Sequence, residues 1–312
     1  MKTLDVVSFG VTVADLLVKG VPDTLLQEDV SRAEDMILSV GGDALNQAST
    51  LAQLGHSVTL VARLGKDIIG QHIINTCVER GITPGFAVKE GLISPISIVL
   101  IKPDGDRYFL GRKLDKLNAR VCFEDIDLEL IKQARAVTQG SMFTSMDLVG
   151  ENLKTVFKTA KDSGAFTISD FLNKPGVSLE DVRVAMPYID YLLPSLEEGT
   201  FYTGETDPAR IADIFLNMGV GTVGVKQGGD GVYLKNADLE VTVPSYKVPV
   251  VDTTGAGDNF VAGFISGLLD GEDLLSCARR GSACGAINVG EVGASGAVKS
   301  KQQVLDFMTA HA

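Results

Sequence analysis

The sequence predicts a doubly wound, mostly parallel α/β sheet with helices on both faces, together with a small β-sheet that forms a lid. Three observations lead to this fold class. Buried strands alternate with helices near the start of the chain, two patches contain strands without helices, and alternation resumes after about residue 125. Alternation gives parallel strands covered by helices, whereas consecutive strands favour antiparallel pairing. We predict one domain over residues 1–312.

The first β–α–β–α unit is indicated by short apolar runs and by apolar residues at helical spacing. Glycines follow both helices, and Asp43 is the expected N-cap of the first one. The predicted strands are residues 4–10 and 57–64, and the predicted helices are residues 43–54 and 68–80.

Two patches of consecutive strands interrupt this alternation. The first comprises residues 15–18 and 35–40, and the second comprises residues 86–89, 94–102 and 107–110, with a strong turn signal at 103–106. We expect the two patches to pair into one sheet that projects from the body and covers a site. The predicted lid therefore consists of segments about 13–40 and 86–118.

The remaining chain returns to alternation and ends in helices. Strands are predicted at residues 136–140, 166–169, 188–193 and 222–226, followed by a hairpin of 231–235 and 239–243. Helices are predicted between these strands and at residues 256–269, 273–289 and 299–311.

Composition argues against several classes of protein. The formal net charge is −12 and Lys and Arg form no cluster, so neither nucleic acid nor an anionic membrane is an expected partner. No window reaches the roughly 18 apolar residues of a membrane span, and the first ten residues lack a signal-peptide run. The four cysteines form no CxxC pair and the three histidines are scattered. We therefore expect reduced thiols, a cytoplasmic location and no His/Cys metal site.

Polar residues at predicted strand ends are candidate ligand contacts, because ligands of doubly wound sheets bind beyond the carboxyl ends of the strands. Asp15, Asp170 and Lys226 stand at or just after such ends. Position alone does not separate a ligand contact from a capping or turn residue, so both interpretations stay open for each of them.

The segment VVDTTGAGDNFVAGF, residues 250–264, carries the strongest chemical signal. A helix that begins near Ala256 exposes backbone N–H groups, and Gly255 and Gly257 let the backbone approach a phosphate closely. An ordinary turn with Asp258 as a first-turn acid is the alternative. A carboxylate beside a phosphate cradle is electrostatically costly, so we interpret Asp258 as a base that takes a proton from an attacking hydroxyl.

Three motifs resemble those of the ribokinase-like (PfkB) family of sugar and nucleoside kinases. DTTGAGDNF, residues 252–260, resembles its C-terminal signature, and GGDALNQA, residues 41–48, resembles its GG-x-x-x-N-x-A sugar-binding turn. KQGGDG, residues 226–231, resembles its nucleotide-side K-x-G-x-x-G. The motifs follow the family's order over essentially the whole chain. The resemblance implies a ribokinase-like fold and an ATP-dependent phosphotransferase acting on a primary hydroxyl of a small sugar or sugar acid.

The resemblance also implies roles for individual residues. Asp258 would be the general base, within an anion hole made by the backbone of Gly255, Ala256, Gly257 and Asp258. The sugar hydroxyls would be bound by Asp15, Gly41, Gly42 and Asn46. The nucleotide would lie against Lys226, Gly228 and Gly231, with Asn288 near the adenine.

Cofactors and assembly are implied by the same resemblance. Mg²⁺ would accompany ATP and be held mainly by phosphates and water, with Glu198 ordering the water. Many family members also use a monovalent cation such as K⁺, for which Asp252, Thr254 and the carbonyls of residues 288–293, including Gly293, are candidate ligands. Family members often dimerise through their lids, which predicts a homodimer.

Departures from the family pattern bear on the substrate. Ser195 replaces the Asn of the N-x-x-E element, which would weaken the ordering of metal or phosphate. Val13 and Asp43 stand where ribokinases carry Asn and Lys, which argues against ribose. SDFLNK, residues 169–174, is similar to the D-x-N-x-R segment of fructokinases and 2-keto-3-deoxygluconate kinases and makes Asp170 a candidate substrate contact.

Several alternatives stay open at this stage. Arg112, in the predicted lid, is either a contact for an anionic substrate group or a solvated residue. The sequence favours fructose or 2-keto-3-deoxygluconate over ribose. A nucleoside kinase of the same family and a non-catalytic sugar-sensing protein on the same fold are the alternatives.

Overall fold

The computed structural model describes residues 2–25, 27, 29–103, 107–113 and 118–311. The predicted turn at 103–106 lies outside the described residues except for residue 103. Residues 114–117 of the predicted lid segment lie wholly outside them. The strands are β1 Leu4–Gly10, β2 Val13–Lys19, β3 Asp35–Gly41, β4 Val58–Val61, β5 Arg63–Gly65, β6 Thr83–Pro84, β7 Ala87–Lys89, β8 Ile96–Ile101, β9 Arg107–Gly111, β10 Ala134–Met142, β11 Phe166–Phe171, β12 Tyr191–Leu192, β13 Thr222–Lys226, β14 Val232–Lys235 and β15 Glu240–Val243. The helices are α1 Asp43–Gln53, α2 Ile68–Glu79, α3 Leu128–Gln133, α4 Gly150–Asp162, α5 Leu196–Thr203, α6 Pro208–Asn217, α7 Ala256–Asp270, α8 Leu274–Val289 and α9 Lys301–Ala310.

Nine strands form the central sheet, in the order β15-β14-β13-β12-β11-β10-β1-β4-β6. The strands from β13 to β6 pair in parallel, and the edge hairpin of β14 and β15 is antiparallel. The chain builds outward from β1 in both directions, so the predicted doubly wound fold is confirmed. In the described part of the chain, no helix is both long and apolar enough to cross a membrane.

Helices cover both faces of the sheet because its central strands are apolar on both. Val6 and Val7, neighbours on β1, are both fully buried but belong to separate apolar cores. Adjacent strand residues point to opposite faces. The core around Val7 contains Phe157 of α4, and the core around Val6 contains Phe264 of α7.

The second sheet has four strands in the order β3-β2-β8-β9. Its central pair, β2 and β8, joins the two patches in parallel, with Asp15 opposite Ser97. The predicted pairing of the patches is therefore confirmed, except for residues 86–89. That segment, as β7, pairs instead with β5 in a separate two-stranded sheet, because Ala87 N–H donates to Ala62 O at 2.9 Å as the chain leaves the central sheet.

The start of α1 differs from its prediction. Gly42, at φ 92°, is the N-cap, and no side chain caps the helix. Asp43 lies in the first turn, and its carboxylate accepts a hydrogen bond from Ser141 Oγ at the end of β10. The prediction of Asp43 as the N-cap is wrong because a tertiary partner holds this carboxylate.

Candidate active site

The N-terminus of α7 presents unpaired backbone donors. Gly255 is its N-cap at φ 73°, and Ala294 O lies 2.0 Å from the position that a Cβ on Gly255 would occupy. Only glycine fits this turn. Among the described residues, Gly255, Gly257 and Asp258 have backbone N–H groups without an acceptor, whereas Ala256 N–H donates to Thr253 O at 3.2 Å. The anion hole predicted from the sequence thus keeps three of its four donors in this structure.

Asp258 lies in the first turn of α7 and is only 8% exposed. Asn46 of α1 donates from Nδ2 to its Oδ2 at 2.8 Å. Burial raises the pKa of Asp258 well above its usual range, the carboxylates of Asp43 and Asp170 raise it further, and Asn46 and Lys226 oppose them. A raised pKa suits a carboxylate that must accept a proton near neutral pH.

A cavity of about 560 Å³ separates α1 and α7 from the small sheet. The predicted site residues that line it are Asp15, Gly42, Asn46, Arg112, Thr254, Gly255 and Asp258. Two other polar atoms at this cavity, Asn46 Oδ1 and Thr12 Oγ1, are buried without a hydrogen-bond partner. Unpaired buried acceptors are costly, so a polyol is a fitting occupant. Thr12 carried no signal in the sequence.

Asp15 reaches the cavity from β2, where Ser97 Oγ of β8 donates to its Oδ1. Burial raises the pKa of Asp15, although the bond from Ser97 opposes this. A Cβ on Gly41 would lie 2.4 Å from Asp15 Oδ2. Gly41 is not among the residues that line the cavity, and its lack of a Cβ makes room for the Asp15 carboxylate. Its role in sugar binding stays a prediction.

Asp170 lies at the end of β11, is 4% exposed and does not line the cavity. It accepts from Ser141 N at 2.7 Å and from Gln47 Nε2 at 3.3 Å, and Lys226 Nζ lies 4.0 Å from its Oδ2. Ser141 has φ 60°, a left-handed conformation that this bond supports. Protein groups thus occupy the Asp170 carboxylate in this structure, and its role as a substrate contact stays a prediction.

The charge of Lys226 acts on three carboxylates of the site, those of Asp43, Asp170 and Asp258. Burial, opposed mainly by Lys226, raises the pKa of Asp170 to about 7, and burial together with Glu198 raises the pKa of Asp43 to about 6. Asp43 also lines the cavity. The charges of Asp43 and Asp170 also act on each other and on Asp258.

A second cavity, of about 690 Å³, lies beside α5 and the end of β13 and is lined by Lys226 and Gly228 among others. Lys226 Nζ lies 3.2 Å from the position of a Cβ on Gly257, so its ammonium stands beside the anion hole. Gly231 has φ 100° and does not line this cavity. It accepts at its carbonyl from Gln227 N at 2.7 Å and so shapes the turn.

Asn288 is fully buried, and its place near the adenine stays a prediction. Its Nδ2 donates to Thr254 O at 2.8 Å, and its Oδ1 has no hydrogen-bond partner. Nearby, Asp252 accepts from Thr254 N and Gly293 N, both at 2.8 Å. Asn288 therefore supports the loop that precedes α7.

Ser195 and Glu198 form a reciprocal capping box at the start of α5. Ser195 Oγ accepts from Glu198 N at 3.1 Å, and Glu198 Oε2 accepts from Ser195 N at 2.7 Å. The serine is therefore a helix cap, a role that Asn also performs well.

Several cations line the first cavity. Arg63 is neutralised by Asp125 at 2.6 Å, and Arg112 donates to Asn118. Arg120 has no acidic or hydrogen-bonding partner for its guanidinium among the described residues, and it lies near Lys174, whose pKa is lowered by burial and then by Arg120. Lys174 Nζ donates to Phe143 O at 2.8 Å. Arg120 and Lys174 form a positive patch that the sequence did not reveal.

Comparisons with known proteins identify a family and agree with the fold. A family model described as pfkB family carbohydrate kinase matches residues 3–301. A 2-dehydro-3-deoxygluconokinase from Bacillus subtilis (strain 168) is 38% identical over 281 residues, which cover 87% of each chain. A ribokinase structure from Thermotoga maritima matches with a TM-score of 0.82 at 25% identity, over 98% of this chain and 99% of that one. A fructokinase structure with bound ATP from Xylella fastidiosa matches with a TM-score of 0.82 at 20% identity, over 99% of each chain.

Proposed function

The chain belongs to the pfkB family of carbohydrate kinases, and from this premise we propose that it phosphorylates a primary hydroxyl of a small sugar acid. It is an ATP-dependent sugar kinase. A six-carbon acid of the 2-keto-3-deoxygluconate type is the favoured substrate, ahead of fructose, and ribose is disfavoured. The reaction takes place in the cytoplasm, where buried free thiols such as that of Cys284 stay reduced.

In the proposed reaction Asp258 is the general base. Its carboxylate takes the proton of the sugar hydroxyl while that oxygen bonds to the γ-phosphorus of ATP. The bond from the γ-phosphorus to the bridging oxygen breaks, and ADP leaves. Charge on the transferred group is stabilised by the N–H groups of Gly255, Gly257 and Asp258 and by the Lys226 ammonium.

The substrate preference rests on the positive patch in the first cavity. Arg120 and Lys174 suit a carboxylate, because guanidinium and ammonium groups form charge-assisted hydrogen bonds with it. Asn46, Thr12 and Asp15 offer acceptors for hydroxyls. A sugar acid carries a carboxylate at one end and a primary hydroxyl at the other, and so matches both groups of side chains.

The oxygen ligands of the site fit the implied cations. Carboxylates suit Mg²⁺, so Glu198 and Asp43 would hold its water, while phosphates would supply most ligands. Among the described residues no cluster of three His, Cys, Asp or Glu side chains could hold a metal by itself. Mg²⁺ would neutralise phosphate charge. For K⁺, the unpaired Oδ1 of Asn288, whose Nδ2 donates to the Thr254 carbonyl, would join Asp252 and the carbonyl of Gly293.

We propose that the small sheet is the lid of a single-domain enzyme and that two lids pair in a homodimer. Large apolar side chains are exposed on both edge strands, β3 and β9. They are Met36, Ile37, Leu38, Tyr108, Phe109 and Leu110, each at least 38% exposed. An exposed apolar strand at the edge of a sheet can pair with a strand of another chain. A second copy offers the same edges and would cover them while the lid excludes water from the reaction.

One observation carries the proposed function: the buried Asp258 carboxylate, the free donors of α7 and the unpaired Asn46 Oδ1 meet at one cavity. The test is ADP formation with a panel of 2-keto-3-deoxygluconate, gluconate, fructose, ribose and adenosine. We expect the highest kcat/KM with 2-keto-3-deoxygluconate. Turnover with adenosine alone would establish a nucleoside kinase instead. Asp258→Asn prepared identically controls for contaminating kinases.

A further inference from the structure

Asn259 follows the proposed base and is fully buried. Its Oδ1 accepts from Thr50 Oγ1 at 2.7 Å. Its Nδ2 donates to Gly255 O at 2.8 Å and to Ala294 O at 3.0 Å. Two carbonyls on one side and a hydroxyl on the other define the orientation of the amide, and both hydrogens of its nitrogen are used.

These bonds join three parts of the site. Thr50 belongs to α1 and lies one helical turn beyond Asn46, Gly255 is the N-cap of α7, and Ala294 lies in the loop after α8. Helices α1 and α7 are thus linked twice in succession, by Asn46 with Asp258 and by Thr50 with Asn259. The first link involves the carboxylate that changes protonation during the proposed reaction, and the second does not.

The bonds of Asn259 act on the turn that carries the anion hole. Gly255 O accepts both the backbone N–H of Asn259, at 2.9 Å, and its side-chain amide. Ala294 O packs against the Cα of Gly255 so closely that no Cβ fits between them. The Asn259 amide therefore holds both carbonyls at this close approach. The direction of the free N–H groups in the next residues depends on that geometry.

We infer that Asn259 is a positioning residue for phosphoryl transfer, which sets the anion hole of α7 relative to the sugar-binding helix α1. The inference rests on the proposed function. Donors at an anion hole act only when they lie close to where charge develops, so small displacements lower kcat strongly. Substrate affinity depends on other side chains and should change little.

The experiment compares Asn259→Ala and Thr50→Val with the unchanged enzyme. We expect kcat to fall about 10–100-fold for Asn259→Ala and about 3–10-fold for Thr50→Val, while KM for ATP and for the sugar stays within about threefold. Affinity for ADP with aluminium fluoride, a mimic of the transferred phosphoryl group, should fall in parallel with kcat. Affinity for the non-hydrolysable analogue AMP-PNP should not.

Thr167→Val is the matched control. Thr167 is also a buried threonine, and its hydroxyl donates to Tyr188 O at 2.7 Å. It lies near the start of β11, at the other end of the strand from Asp170. We expect this variant to lose stability and keep kcat.

Unchanged kcat in folded Asn259→Ala, or equal weakening of both nucleotide complexes, would overturn the inference. If Asn259→Ala does not fold, Thr50→Val decides by the same measures. If the unchanged enzyme shows no turnover, the proposed function is refuted instead. The affinities for ADP with aluminium fluoride and for AMP-PNP still test the role of Asn259.

Discussion

Asn46 of α1 donates from its side-chain amide to Asp258 of α7 across 2.8 Å. The two residues belong to different motifs, 212 positions apart in the chain. The bond holds the Asp258 carboxylate in one orientation and leaves Asn46 Oδ1 without a partner. A single amide thus orients the proposed base and faces the substrate cavity. Asp258 and its surroundings are therefore the first targets for testing.

Asp258→Asn should lose turnover by about 10²–10⁴-fold, because an amide cannot accept the hydroxyl proton. ATP affinity should stay within a few-fold, since the backbone donors of α7 and Lys226 are unchanged. Steady-state kinetics and calorimetric titration with AMP-PNP check both expectations. Turnover close to that of the unchanged enzyme would refute the assignment of Asp258 as the base.

The pH profile should report the carboxylate cluster. The Asp43 charge raises the pKa of Asp258, and Asp258 must be ionised to act as a base, so activity should rise with pH along an acid limb. Asp43→Asn removes that charge and should move the acid limb of kcat/KM to lower pH. Asp213→Asn, a half-exposed carboxylate on α6, is the control and should leave the limb in place. An acid limb that moves to higher pH in Asp43→Asn would contradict this electrostatic explanation.

Local sequence patterns predicted the fold and the glycine turn before α7 because their causes are local. Alternating strands and helices specify a parallel sheet, and the turn at Gly255 needs a glycine wherever it occurs. The pairing of β2 with β8 was also predictable, since two helix-free patches had no other partners of their kind. The predicted place of residues 86–89 in the small sheet was wrong, because their pairing with β5 depends on the path of the chain after β6.

Side-chain roles were harder to predict where they depend on distant partners. Asp43 resembled an N-cap, yet Ser141 at the end of β10 holds its carboxylate. The hydrogen bonds that the Asp170 carboxylate accepts from Ser141 N and Gln47 were likewise not predicted. Arg120 and Lys174 come from separate segments without a shared motif. Such contacts depend on tertiary placement that spacing along the chain does not encode.

The oligomeric state should depend on the small sheet. Phe109 on β9 is 67% exposed, and Phe109→Lys would place a charge in the proposed dimer contact. We expect the mass measured by light scattering to fall from that of a dimer to that of a monomer. Val78→Lys on α2, where Val78 is 58% exposed, should remain dimeric. A monomeric unchanged protein at micromolar concentration would refute the lid-mediated dimer.

The choice between an acidic and a neutral substrate should depend on Arg120 and Lys174. Arg120→Met and Lys174→Met each remove one charge of the positive patch while keeping an unbranched side chain in the cavity. We expect KM for 2-keto-3-deoxygluconate to rise about 10–100-fold in each variant, because a charged hydrogen-bond partner of the carboxylate is lost. KM for fructose, which has no carboxylate, should change less than about threefold. Equal changes for both sugars would show that the patch acts on cavity shape rather than on charge. Unchanged values for both would place the carboxylate elsewhere, with Arg112 as the next residue to replace.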